Sequence, residues 1–273
     1  MGCSTGGLVI DDDESLAAIF KIAAEQDLLV AVHAEDEQRL QQNAQKYPLP
    51  QPYAVHSACR DETAAMLAVK KAIQLVRKYR TRLYILHVST QQEIELIAQA
   101  KAEGLPVFAE TTPHHLFLTL TDYETLQGKA LMNPPLRAIK HQQALFQAIK
   151  EGVIDTIGSD HAPHTPEEKA QPYGQCPSGV PGIETTLALL LNAAHQNLLS
   201  LENIVNLTCK RAESIFRLVP NQDAVLVDLT ACRTVEEKNL KTKCHWSPFA
   251  GRRLQGWPVY TILKNRLYDL ATL

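Results

Sequence analysis

Four times along this chain, a stretch whose apolar residues have helical spacing leads into a short apolar run that ends at a histidine or a carboxylate. This recurrence restricts the fold more than any other feature. From Asp13, the positions Leu16, Ile19, Phe20 and Ala23 share one helical face, and Asp12, Asp13 and Glu14 are placed to favour the N-terminal dipole. Residues 28–32 then form a continuous apolar run, the pattern of a parallel strand buried on both faces, and His33 stands at its end. A helix through Met66, Val69, Ile73 and Val76 precedes residues 83–86 and His87. A third helix around Ile94 and Ile97 stops at Gly104, before a strand at 107–110 that closes on Glu110. The fourth, marked by Ala144, Leu145, Ala148 and Ile149, precedes 153–157, which runs into Gly158, Ser159 and Asp160.

Helices alternating with buried strands predict an α/β fold with a parallel sheet, whose ligands collect at the carboxyl ends of the strands. Four units make half of a (β/α)₈ barrel, a fold that takes about 250 residues when complete. The reading is therefore a partial TIM barrel over residues 1–218, about strands 5 to 8. A small β appendage over 219–273 follows, with strands at 224–229 and 259–263 between Pro- and Gly-containing turns. Residues 1–7 read as a loop in mid-domain.

Composition narrows the function. With 45% hydrophobic residues in 273, the chain can bury a sizeable core. A formal charge of -3 without a basic stripe gives nucleic acid little to bind, so a small-molecule substrate is expected. No apolar run approaches the roughly 20 residues of a membrane span, and no signal-peptide layout is present. Six cysteines scattered without a CxxC pair read as reduced thiols of a cytoplasmic protein.

The chemistry-bearing residues sit at the strand ends. His33 and His87 are neutral imidazoles of the kind that ligate zinc, and Asp160, in Ser159-Asp160-His161-Ala162-Pro163-His164, is a carboxylate able to bind metal or shuttle protons. Each alone is as well explained by capping or core hydrogen bonding. Three such ends on one rim are not, because packing does not require metal-ligand types at every strand terminus.

These residues support a resemblance. The chain resembles the class I dihydroorotases of the amidohydrolase superfamily from Gly2 to about Leu267. The matching stretches are Val32-His33-Ala34-Glu35-Asp36, Leu86-His87-Val88-Ser89-Thr90, Glu110-Thr111-Thr112-Pro113-His114-His115-Leu116 and Asn133-Pro134-Pro135-Leu136-Arg137. To these are added 159–164, Pro177-Ser178-Gly179-Val180-Pro181-Gly182-Ile183-Glu184, and the closing Trp246-Ser247-Pro248-Phe249-Ala250-Gly251.

The resemblance implies a zinc-dependent cyclic amide hydrolase of de novo pyrimidine synthesis that reversibly opens dihydroorotate to N-carbamoyl-aspartate. His33 and His87 would be metal ligands on the fifth and sixth strands. Asp160 on the eighth would be both metal ligand and catalytic acid/base. Asn133, His164 and the Ser178-Gly179 backbone would hold the substrate, although Ser178 stands where many relatives have phenylalanine. His114, His115 and Arg137 are equally well explained as polar or ion-paired side chains.

The family's binuclear zinc site also uses a His-x-His pair and an arginine from the first strand and a carboxylated lysine from the fourth, and no matching residues are found near the start. The expectation is therefore a chain that begins too late, with at most partial metal occupancy and little or no turnover alone. Its two unpaired sheet edges should favour self-association or pairing with a complementary piece. Two alternatives stay open. An allantoinase or hydantoinase would share His33, His87 and Asp160, although 133–137 and 162–164 favour dihydroorotase. A noncatalytic dihydroorotase-like subunit assembling with aspartate carbamoyltransferase is the other, against which the retained His33, His87 and Asp160 speak.

Overall fold

Four parallel strands in chain order carry the site. A computed structural model describes residues 9–270, so the loop expected at 1–7, with Cys3, lies outside the described residues. β1 (Leu29–Val32), β2 (Arg82–Ile85), β3 (Val107–Thr111) and β4 (Thr156–Ile157) pair side by side, with Val32 opposite Ile85, Ile85 opposite Ala109 and Thr111 opposite Ile157. A helix precedes each strand, which is the connection that parallel neighbours require.

Local chemistry sets the helix ends. Asp12 accepts from the Ser15 N–H at the start of Asp13–Glu25, and Asp61 does the same for Ala64 at the start of Glu62–Tyr79. Thr90 and Glu93 form a reciprocal capping box on Gln91–Ala102, and Gly104 leaves that helix with φ +70, as its left-handed exit needs. The apolar faces of these helices and of Ile139–Lys150 meet the strands in one core that includes Phe20, Val69, Ile73, Leu83, Ile85, Ile97 and Leu145.

Two expectations about strand extent need correction. Of the run expected at 153–157, only Thr156 and Ile157 pair as a strand. The preceding Asp155 turns its carboxylate onto the Ala109 N–H at 2.9 Å and onto Lys101 at 2.5 Å, with Arg211 on its other oxygen. The C-terminal sheet is larger than read. β5 spans Ala224–Thr234, β6 Arg253–Leu263 and β7 Arg266–Asp269, all antiparallel, because polar positions inside the longer strands broke the apolar pattern.

β6 lies against the helix Ile183–His195 so closely that a Cβ at Gly256, whose φ is +92, would come within 2.6 Å of Leu191 Cβ. This sheet leaves Val225, Leu226, Leu229 and Leu267 exposed. Between the sheets, a second core unites Leu131, Met132, Leu136 and Val180 with Val235, Trp246, Phe249 and Leu254, so residues far along the chain support the loops at the strand ends. Among the described residues no helix is long and apolar enough to cross a membrane.

Asp155 offers a test of this framework, being a buried carboxylate that joins three elements. Replacing it with alanine leaves Lys101 and the Ala109 N–H without their acceptor. The expected loss is about 2–3 kcal/mol of unfolding free energy, visible as a lower urea midpoint.

Candidate active site at the carboxyl ends of the strands

The strand termini deliver their side chains by abrupt turns. His33 directly follows β1, His87 comes two residues after β2 and Asp160 three after β4. His87 and Asp160 take φ of +38 and +42, a region that few residues other than glycine adopt and in which His and Asp are over-represented. These turns bring His33, His87, Glu110, Asn133, Asp160, Ser178 and Gly179 onto the wall of one cavity of about 530 Å³. Of the residues expected in the site, only His164 is not on that wall. Its Nε2 lies 3.1 Å from the Ser178 carbonyl oxygen, so it touches the loop rather than the cavity.

The two imidazoles meet directly. His33 Nδ1 lies 3.0 Å from His87 Nε2, with the rings edge to face. His33 Nε2 lies 2.8 Å from Glu35, a carboxylate with no exposed side chain that is also clasped by the Arg60 guanidinium. A carboxylate only accepts, so His33 Nε2 carries a proton, and in the neutral ring Nδ1 turns a lone pair toward His87. Against the cost of burial, the Arg60 charge and the His33 hydrogen bond bring the Glu35 carboxyl down to about 2.

These nitrogens suit a metal. Two ligands each about 2.0–2.1 Å from tetrahedral zinc stand roughly 3.3–3.4 Å apart, so a slight opening of the pair would admit one. Glu35 supplies the outer carboxylate that such histidines commonly have. The donor set is nonetheless partial. Among the described residues no group of three or more His, Cys, Asp or Glu side chains is arranged to hold a metal ion.

Acidic groups line the same cavity. Burial raises the Asp160 carboxyl above its usual range, opposed by the nearby His33. Burial likewise raises Glu110, whose Oε2 accepts a 2.7 Å hydrogen bond from the Tyr84 hydroxyl. A Cβ on Gly158 would fall 2.1 Å from the Glu110 carboxyl carbon, so the glycine is what leaves room for that acid.

Sequence reasoning missed several residues here. His56, buried on a short helix, places Nε2 2.9 Å from Asn133 Oδ1, 3.1 Å from the Met132 carbonyl and 3.5 Å from Ser178 Oγ, and so links the two loops on the wall. Glu110 was visible as a strand end and Glu35 only as a member of a matched stretch, neither with a role, and His56 carried no pattern at all. Arg137 is buried rather than solvated, donating to the Arg60 carbonyl at 2.6 Å and to Ser89 Oγ. His115 spans Thr112 Oγ1 and the Pro134 carbonyl, and His161 accepts from the Gly182 N–H, so these two hold loops.

Burial keeps His56 neutral down to about 4, His87 and His114 down to about 3, and His115 well below its ordinary range. Below pH 6.5 the unfolded chain takes up protons that these rings refuse, and each then costs about 1.4 kcal/mol per pH unit. Glu35 adds stability that is present above about 4.5 and lost as pH falls toward 2, while the raised carboxyls of Glu93, Glu110 and Asp160 act in the opposite sense. The net expectation is a falling urea midpoint between pH 7.5 and pH 5. A midpoint that holds or rises over that interval would contradict burial of these rings in the neutral form.

Comparison with known proteins finds relatives along nearly the whole chain. No protein-family model matches the chain. The dihydroorotase of Halobacterium salinarum is 36% identical over 96% of this chain and 62% of its own length, and that of Methanosarcina acetivorans 34% identical over 98% and 60%. Among solved structures, L-hydantoinase (dihydropyrimidinase) from Arthrobacter aurescens superposes with a TM-score of 0.93 at 28% identity, covering 98% of this chain and 63% of that one. Dihydropyrimidinase from Brevibacillus agri gives 0.89 at 28% identity, over 97% and 61%. Along nearly its whole length the chain is similar to curated dihydroorotases and to solved hydantoinases, and it spans about three fifths of the length of the relatives it matches.

Proposed function

We propose that the cavity takes a cyclic amide, dihydroorotate, and that these residues serve its reversible opening to N-carbamoyl-aspartate. In this reading the four parallel strands are the second half of the barrel, strands 5 to 8, in residues 1–218, and residues 219–273 are its β appendage. The observation that carries the proposal is the convergence of His33 Nδ1 and His87 Nε2 at 3.0 Å, on the same cavity wall as Asp160.

His33 and His87 would hold zinc, with Asp160 as a further donor from the same cavity. Zinc, when bound, supplies Lewis acidity toward the ring amide and makes water a better nucleophile near neutral pH. Asp160 accepts the proton of the attacking water and returns it to the departing ring nitrogen. Its raised carboxyl suits this exchange, since a base works best when its pKa approaches the operating pH. Asn133 and the Ser178-Gly179 backbone would meet the ring and its carboxylate, with His164 steadying the Ser178 carbonyl from behind. Two imidazoles and one carboxylate support at most partial metal occupancy, so turnover by this chain alone is expected to be slow or absent.

Ligand and metal binding therefore test the reading more directly than rate. In titration calorimetry with zinc present, N-carbamoyl-aspartate should bind this chain in preference to hydantoin and allantoin. Glu35→Gln, which loosens the hold on His33, should weaken zinc binding by about 10–100-fold in chelator competition. Any turnover that is detected should fall about 10²–10⁴-fold in Asp160→Asn. Preference for hydantoin would move the chain to the related cyclic amidases. Zinc affinity unchanged in His33→Ala and His87→Ala would remove the proposed metal site.

A further inference from the structure

Lys169 is buried to 2% exposure at the end of the four-residue helix Pro166–Lys169, just beyond His164. Among the described residues no carboxylate pairs with it. All three hydrogens of its ammonium find backbone carbonyls instead: Pro177 at 2.7 Å, Gly179 at 2.9 Å and Leu131 at 3.2 Å. Burying a cation without a counter-charge is costly, and burial accordingly brings the Lys169 amine down to about 8. The carbonyls that it gathers belong to the two loops on the cavity wall. Leu131 lies two residues before Asn133, and Pro177 and Gly179 flank Ser178.

The gathered geometry has a direction. In a trans peptide the carbonyl and the following N–H point opposite ways. Drawing the Pro177 carbonyl toward Lys169 therefore turns the Ser178 N–H away from it. The neighbouring Gly179 N–H is held by the Leu131 carbonyl at 2.9 Å, and the Ser178 carbonyl by His164. Gly179 itself sits at φ +138, and a Cβ there would approach the Ala162 carbonyl to 2.5 Å, so the segment has one tight path. Trp246 closes the back, donating to the His164 carbonyl at 2.7 Å with its ring centroid 6.0 Å from the ammonium.

We propose that Lys169 is a positioning residue of the substrate site, a buried tripod that locks the 131–133 and 177–179 segments together so that the Ser178 N–H and Asn133 are presented to the ligand. This rests on the dihydroorotate reading for the identity of the ligand, but not for the existence of the clamp. Lys169 reaches neither the cavity nor the imidazole pair, so its contribution separates from metal binding.

Hydrogen exchange, ligand titration and zinc competition on the full chain test the clamp. In Lys169→Met, which keeps the volume and removes the donors, the amides of 178–180 and 131–133 should exchange about tenfold faster or more, while those of β2 are unchanged. N-carbamoyl-aspartate should bind at least about tenfold more weakly, with zinc affinity within about twofold of the parent chain. Lys169→Arg, which keeps a charged donor, should restore part of both losses. If Lys169→Met does not fold, Lys169→Gln, with two donors in place of three, should show the same losses in smaller measure. Unchanged loop exchange in a folded donor-deleted chain would overturn the clamp, as would unchanged ligand affinity where the parent binds. Loop exchange that accelerates in a protein whose parent form ignores N-carbamoyl-aspartate would support the clamp and sink the dihydroorotate reading alone.

Discussion

Parallel pairing of β1 with β2 is the constraint from which the site follows. Neighbouring strands that run the same way end at the same mouth, and the register that sets Val32 beside Ile85 is continued by the Leu86 N–H on the Val32 carbonyl. Residues one and two positions beyond the paired ends are thereby forced into proximity, and both are histidines. A slip of one residue would turn either ring to the other face of the sheet. The buried core of Leu83, Ile85, Val107 and Ala109 makes such a slip expensive, so packing of the sheet interior and aim of the imidazoles are one problem solved once.

Around those rings the protein buries charge, and the arrangement shows how it tolerates doing so. Glu35 is balanced by Arg60 and by the His33 N–H. Among the described residues Arg137 has no carboxylate in direct contact but reaches the Arg60 carbonyl and Ser89, and Glu93 collects the Ser89 and Thr90 N–H groups. Each ion therefore has hydrogen bonds that a hydrophobic replacement would not need, and the set fixes orientation rather than adding net stability. The same cavity also holds acids with fewer such partners. Burial, little offset by hydrogen-bond donors, raises the Asp160 and Glu110 carboxyls.

How much of this was legible depended on whether a residue's role is local. Helix caps such as Asp12, Asp61 and the Thr90–Glu93 box, and the apolar runs of β1 to β3, follow from neighbours within a few positions, and they appear where the pattern places them. The fourth strand was overestimated because Asp155 directs its side chain into a charge cluster contributed by Lys101 and Arg211, and no spacing announces that. The strands of the C-terminal sheet were underestimated because they lie largely exposed, and alternation of burial is the signal that marks a strand end. His56 and Lys169 were invisible for another reason. Their partners are backbone carbonyls and loop side chains 38 to 122 residues away in two of their contacts, and such partners leave no composition or period behind.

The sequence by itself determined the alternation of helix and buried strand, the identity of the groups at each strand end, and through its matched stretches the likeness to dihydroorotases. Only the tertiary structure decided which nitrogens face one another, which acids are raised and which lowered, and which loops are tied by a buried ammonium. The division has a physical cause. Hydrophobic period and capping are interactions between near neighbours, so a linear string encodes them openly. The field at a titratable group, and the partner of a buried donor, are sums over atoms brought together only when the chain closes on itself.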